Sequence, residues 1–378
     1  MKNYCFLFLF LSCFSYGQYE AVDKKMTQIP DSLTTSTTKI ADYISSNFKA
    51  PNDKIRAVFF WTASTISYDV VNMLNQDPNQ TEEFKIKSAL DSRKGVCMHY
   101  AAVFNDLANK VGVRTYVIEG YTKQFGKIAT LGHAWCASQL DGKWLLFDPT
   151  WGSGYVLNQK YIKKLNNSFF KAEPSQFILS HMPFDFLWQF LATPITNAEF
   201  YGGKKDPKNA KIIFDYQTQI NRFDSLSDSD KAFEAAERIE KNGLQNKLII
   251  DQYNFKKKDF TILKANNNIE KLNAVVNNYN EAIGLLNDFS RFRFNKFKPE
   301  QTDEVLRKNM QELSDKMNKC KEDVYNIGFV GNENTSNLKN LKKMILDAVE
   351  QTDKQKTFLD TYLSKGFVGR KLMMSKFR

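Results

Sequence analysis

Gly132-His133-Ala134-Trp135-Cys136-Ala137-Ser138-Gln139-Leu140-Asp141-Gly142-Lys143-Trp144-Leu145-Leu146-Phe147-Asp148-Pro149-Thr150-Trp151 is the stretch whose reading decides the fold. Asp-Gly between two apolar runs is a strong signal for a tight hairpin turn. It predicts one strand over 132–140 and a second over 143–148. With Leu140 facing Lys143, Cys136 faces Phe147, Trp135 faces Asp148 and His133 faces Thr150. His133 and Asp148 then become diagonal neighbours on one sheet face, at roughly 7–8 Å. Cys136 falls on the other face, as a core residue.

Upstream lies Lys94-Gly95-Val96-Cys97-Met98-His99-Tyr100-Ala101. A helix is expected over 97–111, with Ala101, Phe104, Ala108 and Val111 on one stripe and Gly112 as its stop signal. A strand follows over 113–121. Farther upstream, Ile40, Tyr43, Ile44 and Phe48 mark a helix over 34–48. Pro51-Asn52-Asp53 opens another, with Ile55, Val58, Phe59, Thr62 and Ile66 at helical spacing. Residues 75–80 read as a polar loop. From about residue 203 strand signals vanish. Leu272, Val275, Tyr279, Ala282, Leu286 and Phe289 step by three and four, a heptad-like, coiled-coil-type stripe, and Leu338, Leu341, Ile345 and Val349 repeat it. The expectation is an α+β domain over 18–202 and an all-α domain of antiparallel helices over 203–378.

Cys97, His133 and Asp148 supply a nucleophile, a base and an orienter. Cys97 opens a helix, where partial positive charge and free backbone N–H groups favour a thiolate and can receive an oxyanion. A free Cys also packs well as a small hydrophobe. His99 lies two residues past Cys97, so on a helix it points about 200° away from the thiol. That leaves His133 as the base and His99 as a packing or supporting residue. Asp148 has a second reading, as the cap of an Asp-Pro turn. Trp135, Trp144 and Trp151 cluster in sequence near this site and are candidates to wall a dry cleft.

The 378 residues suffice for two domains, and 42% hydrophobic with 25% charged residues is ordinary globular composition. The net charge of +11 favours acidic surfaces without naming a partner, and no aromatic-interleaved basic stripe points to nucleic acid. Lys2 followed by the apolar stretch 5–14 reads as a signal peptide over 1–17, with Ser15-Tyr16-Gly17 as cleavage site and Gln18 as mature start. The chain is therefore expected in the periplasm or secreted; a lipoprotein through Leu11-Ser12-Cys13 is the competing fate. No later apolar run is long enough to span a membrane. Beyond 1–17 only Cys97, Cys136 and Cys320 remain, which is no disulfide framework. With three histidines and no CxxC the sequence suggests neither a zinc site nor any other cofactor.

As a set, Gly95-Val96-Cys97-x-x-Tyr100-Ala101, His133-Ala134-Trp135 and Asp148-Pro149-Thr150-Trp151 resemble the transglutaminase-like superfamily. The wording is close to its bacterial, cytokinesis-protein and kyphoscoliosis-peptidase branch. The animal blood-clotting type has Gln before the Cys and Trp after it, where this chain has Val96 and Met98. Arg56-Ala57-Val58-Phe59-Phe60-Trp61 and Ile66-Ser67-Tyr68-Asp69 look like that branch's preceding helix. His181-Met182-Pro183-Phe184-Asp185 and Trp188-Gln189-Phe190-Leu191 look like its tail, with His181 expected to pack the domain edge. The resemblance covers about 50–200. It implies a papain-like core, a Cys-bearing helix packed on an antiparallel sheet, with Cys97 as nucleophile, His133 as base and Asp148 as orienter. Tyr68 and Trp61 are candidates for a side-chain oxyanion donor.

The leading expectation is an exported cysteine hydrolase or transglutaminase that acts on a protein or peptide amide through a thioester. The alternative is a non-catalytic binding module of the cell envelope. A third reading has the basic helical half binding cell wall or membrane surface electrostatically.

Overall fold

The computed structural model describes residues 19–75, 77, 80–203 and 213–375. The expected signal peptide, with Cys13, lies outside them. The described chain divides into two compact units, one of the described residues up to Leu226 with Glu234–Phe255, the other Ser227–Phe233 with the described residues from Lys256 onward.

The first unit is α+β. Its strands are β1 (Ser67–Tyr68), β2 (Lys94–Gly95), β3 (Thr115–Gln124), β4 (Lys127–Leu140), β5 (Lys143–Phe147), β6 (Gly154–Leu157), β7 (Lys160–Lys163) and β8 (His181–Pro183). The main sheet has the order β5-β4-β3-β8 and is antiparallel throughout. Its hairpin has the expected register: Leu140 pairs with Lys143 and Cys136 with Phe147. Asp141 (φ 49°) and Gly142 (φ 77°) both take left-handed backbone, which the right-handed twist of the flanking strands demands of a two-residue turn.

The ladder stops at Phe147, so the expected pairs of Trp135 with Asp148 and His133 with Thr150 do not form. Pro149 has no N–H for a ladder but suits the first turn of a helix. The chain accordingly turns at Asp148 into the short helix Pro149–Ser153. Alternation along β4 splits the core. Cys136 and Leu140, with Phe147 of β5, pack on the helix Cys97–Lys110 through Ala101, Phe104, Leu107 and Ala108. Trp135 and Ala137 face the other way, with Ile118, Leu146, Phe177, Leu187 and Ile220.

Two helices, Thr37–Asn47 and Pro51–Thr65, cover the Cys-bearing helix. Ser36 caps the first by accepting from the Lys39 N–H. Arg56, only 1% exposed, ties Asp23 to this layer: its Nε donates to Asp23 Oδ1 at 2.7 Å and its Nη1 to Asn167 Oδ1 at 2.7 Å. Its guanidinium also lies over the Tyr19 and Phe170 rings. A further helix, Glu82–Ser92, was not assigned from sequence; Thr81 as cap and two acidic residues in the first turn are its local signal.

The expected domain boundary at 202/203 moves. Ile220 is buried with Trp144 and Phe190, and Ile239 and Ile249 with Tyr121 and Met182, so helical segments beyond 203 complete the first unit. Arg238 clamps Asp185 with 2.7 and 2.8 Å hydrogen bonds. No sequence signal distinguishes these helices from those of the second unit, because their apolar faces look alike until packed.

The second unit is helical. Leu272, Val275, Tyr279, Ala282, Leu286 and Phe289 all lie in its core, with Leu341 and Ile345. Tyr279 Oη bonds Met344 O and Gln355 bonds Ser290 Oγ, both 65 residues apart, so the helices Lys247–Phe294 and Asn332–Leu363 run parallel here. Arg293 lies 3.5 Å over the Phe358 ring in the same register. The helix between them, Asp303–Tyr325, runs antiparallel to both, with Lys316 paired to Glu281 and Arg307 to Asp360. The expected antiparallel arrangement therefore holds for neighbours in sequence and not for the outer pair.

Candidate active site

Asp148 is fully buried and uses both oxygens. Oδ1 accepts the Thr150 and Trp151 backbone N–H groups at 2.8 and 3.0 Å. Oδ2 lies 2.7 Å from His133 Nε2 and 3.2 Å from His181 Nε2. The turn-cap reading and the orienter reading of Asp148 therefore coexist, one on each oxygen. Burial penalises the carboxylate charge, but the His133 charge and hydrogen bond, with His181, outweigh it and hold Asp148 well below the usual carboxylate range.

The sheet brings the two imidazoles together. Gly120 of β3 pairs with His133 on one side and Pro183 on the other, and Thr122 pairs with His181. Both histidines thus share a face, with β3 between their strands. A Cβ on Gly120 would meet the Trp135 ring at 2.5 Å, so glycine leaves room for the aromatic packing behind them.

His133 has Nε2 committed to Asp148, and Cys97 lies near enough to the ring to bear on its basicity. Burial lowers its basicity; the Asp148 charge, the Asp148 hydrogen bond and Cys97 reverse this and raise it to about 10.

Cys97 is half-buried at the first turn of its helix. His99 and Tyr100 donate their backbone N–H groups to Val96 O, and Val96 N–H goes to His99 Nδ1 at 3.2 Å. Among the described residues this leaves the Cys97 and Met98 N–H groups without an acceptor, open to an incoming oxygen. His99 is thereby a buried part of the helix start and no base. Gly95 permits the arrangement, because a Cβ there would lie 2.6 Å from His99 Cβ. Cys136 is buried on the far sheet face, with Sγ 3.4 Å from Ala101 O.

Of the five aromatic candidates, three reach the site; Trp144 is instead buried in the core on the Phe190 ring. Tyr68 sits on β1, paired in parallel with Gly95, and Tyr100 Oη anchors that strand through Ile66 O at 2.8 Å. Burial, then the Cys97 and Asp148 charges, push the Tyr68 hydroxyl up to about 12. Trp151 lies 5.6 Å from the His133 ring and 4.5 Å from His181. Trp135 is buried behind both imidazoles. Trp61 is core, 2% exposed, beneath the Arg93 guanidinium.

His181 is a correction. It does not merely pack the domain edge; it is fully buried at Asp148. Nothing local in His181-Met182-Pro183 announces this, since the contact depends on pairing with β3. His133, Asp148 and His181 also offer three ligand atoms within 4.8 Å of one another. The ring nitrogens aim at the carboxylate oxygen itself, at 2.7 and 3.2 Å, and not at a common centre. The donor set fits a hydrogen-bonded network better than a metal.

No helix among the described residues is long and apolar enough to cross a membrane. A family model described as the transglutaminase-like superfamily matches residues 38–149. Kyphoscoliosis peptidase of Homo sapiens is 32% identical over 156 residues, 39% of this chain and 23% of that protein. Its Mus musculus counterpart is 28% identical over 190 residues, covering 48% and 28%. Hillarin of Drosophila melanogaster is 22% identical over 202 residues, covering 48% and 24%. The chain thus spans about a quarter of the length of these curated relatives. A solved structure described as a crystal structure of a TGase aligns at 18% identity and TM-score 0.26, over 39% of this chain and 36% of that one. The chain carries a transglutaminase-like domain, and Cys97, His133 and Asp148 all fall within the matched residues.

Proposed function

We propose that this protein is a cysteine-dependent acyl-transfer enzyme acting on amide bonds of proteins or peptides. The observation that carries the reading is the 2.7 Å bond from His133 to a buried Asp148 carboxylate, with Cys97 near the same ring at a helix N-terminus. In this reading His133 takes the Cys97 thiol proton as the sulfur attacks the amide carbonyl carbon. The carbonyl oxygen gains the negative charge and takes hydrogen bonds from the Cys97 and Met98 N–H groups. Tyr68 is a further donor candidate beside the thiol. The C–N bond then breaks, His133 gives its proton to the leaving amine, and the acyl group stays on Cys97 as a thioester. Asp148 holds the ring with Nδ1 toward the thiol and stabilises its positive charge.

Attack by water on the thioester completes hydrolysis, and attack by a lysine amine completes a crosslink. We favour hydrolysis, because Val96 and Met98 depart from the pattern of the crosslinking type and the similar curated proteins include one named a peptidase. The N-terminal 1–17 supports export to the periplasm or outside the cell. N-terminal sequencing of the mature protein from fractionated cells tests that, with Gln18 as the expected first residue.

The chemistry is tested by mass spectrometry of protein incubated with peptide panels and amine acceptors. An acyl adduct on Cys97, absent in Cys97→Ala, is expected. No adduct on wild type across the panel overturns the enzyme reading in favour of a binding module.

A further inference from the structure

Asp148 Oδ2 has two imidazole partners, and acyl transfer by Cys97 and His133 uses only one of them. His181 Nε2 lies 3.2 Å from that oxygen, and its Nδ1 lies 2.8 Å from Ser180 Oγ. A bare ring nitrogen cannot sit against a carboxylate oxygen, so Nε2 carries the proton. Nδ1 then accepts from the Ser180 hydroxyl. Ser180 has a rival acceptor in Phe177 O, but at 3.4 Å that contact is the weaker. One tautomer of His181 is thereby selected.

Its surroundings keep the ring uncharged. Phe177 stacks on it at 4.0 Å, and the edges of Trp151 and Trp135 approach at 4.5 and 5.2 Å. Burial pushes its basicity down to about 4, against the pull of Asp148. The chain therefore sets one charged and one neutral imidazole on the same oxygen.

We propose that His181 is a positioning residue of the site: a neutral Nε2–H donor, fixed by Ser180, that locks the Asp148 carboxylate in the orientation in which Oδ2 meets His133. With Thr150 and Trp151 on Oδ1, it completes a set of four donors. Without it, Oδ2 would be held by the reacting histidine alone. The carboxylate would then rotate or take a proton more readily. This inference rests on the acyl-transfer reading for its functional consequence but not for its geometry. The ionisable groups near Asp148 are His133 and Cys136 from opposite faces of β4, His181 from β8 and Tyr68 from β1.

Two substitutions separate positioning from packing. His181→Phe keeps a ring against Phe177 and removes both hydrogen bonds. His181→Gln removes the ring and keeps an N–H that can reach Asp148. The readout is the rate of Cys97 alkylation by iodoacetamide against pH, with thermal melting as a check on folding. Positioning predicts that His181→Phe slows alkylation at neutral pH by about tenfold and moves its acid limb up by about one unit, as loss of a hydrogen bond to a charge implies. His181→Gln should restore the wild-type profile in large part, even if it melts lower. The reverse ranking, Phe near wild type and Gln impaired, overturns the proposal and leaves the acyl-transfer reading intact. Imidazole ¹⁵N resonances give a measurement independent of reactivity. A neutral Nε2–H tautomer of His181 at pH 7 is required, so an Nδ1–H tautomer or a ring that titrates as in water overturns the proposal whether or not Cys97 reacts.

Discussion

His133 and Asp148 meet at 2.7 Å although the strand ladder that connects them ends one residue before the carboxylate. The sheet delivers His133, and a one-residue turn into a helix delivers Asp148. The pair is thus fixed by two different local structures, and each can be perturbed separately.

Asp148→Asn keeps an acceptor for the Thr150 and Trp151 N–H groups and removes the charge at Oδ2. It should lower kcat/KM by on the order of 10³–10⁴-fold, the effect of losing the orienting charge in triads of this kind, with a small change in Tm. Asp148→Ala removes the helix cap as well and should cost about 1–2 kcal/mol more in stability. Paired kinetics and urea melts separate the two roles; equal stability in both variants would contradict the cap.

Stability should depend on pH from both sides. His181, depressed to about 4, binds fewer protons folded than unfolded, so its contribution is lost as pH falls from its unfolded value near 6.5 through about 4. Asp148, also depressed, adds a loss below the unfolded carboxylate range. His133 is raised, so its contribution is present below about 6.5 and is lost as pH rises through about 10. Thermal melts from pH 4 to 10 should show a maximum between the limbs. In Asp148→Asn the alkaline limb should flatten, and an unchanged limb would refute the assignment to His133.

Gly95→Ala places a methyl 2.6 Å from His99 Cβ, while the His99 ring is held by the Val96 N–H. The helix start must shift. A loss of about 1–3 kcal/mol in unfolding free energy is expected from overpacking. Cys97 rides on that turn, so its alkylation should slow as well. Stability loss without any change in alkylation rate would show that the turn absorbs the strain elsewhere.

Asp23→Ala strands the Arg56 guanidinium in the core, 1% exposed. Because Asp23 is 18% exposed and Arg56 keeps its bond to Asn167, a loss of about 1.5–3 kcal/mol is expected, that of a hydrogen bond to a charge. Replacing both, in an Asp23→Leu/Arg56→Met double variant, should recover much of that loss. Chemical denaturation of the two single variants and the double one measures the coupling.

Much of the site was legible because hairpin register is a local property. Asp141-Gly142 sets the pairing of β4 with β5, alternation then assigns His133 and Cys136 to opposite faces, and helix geometry removes His99. What failed was extrapolation past the ladder: Pro149 ends the strand, and Trp135 never faces Asp148. Trp61 was a donor candidate only through the resemblance, and its burial at 2% exposure fits its reading as core.

His181 and the unit boundary mark the other limit. His181 reaches Asp148 only because β8 pairs with β3, and a three-residue strand with no apolar alternation gives no pairing signal. The helices carrying Ile220, Ile239 and Ile249 likewise show which face is apolar but not which surface covers it. The sequence by itself determined the reactive residue types, the start of the Cys-bearing helix and the hairpin that carries His133, since turns, caps and periodicity act within a few residues. Only the tertiary structure decided that Asp148 holds two imidazoles, because that depends on which strand lies next to β3, a choice made by burial over the whole unit.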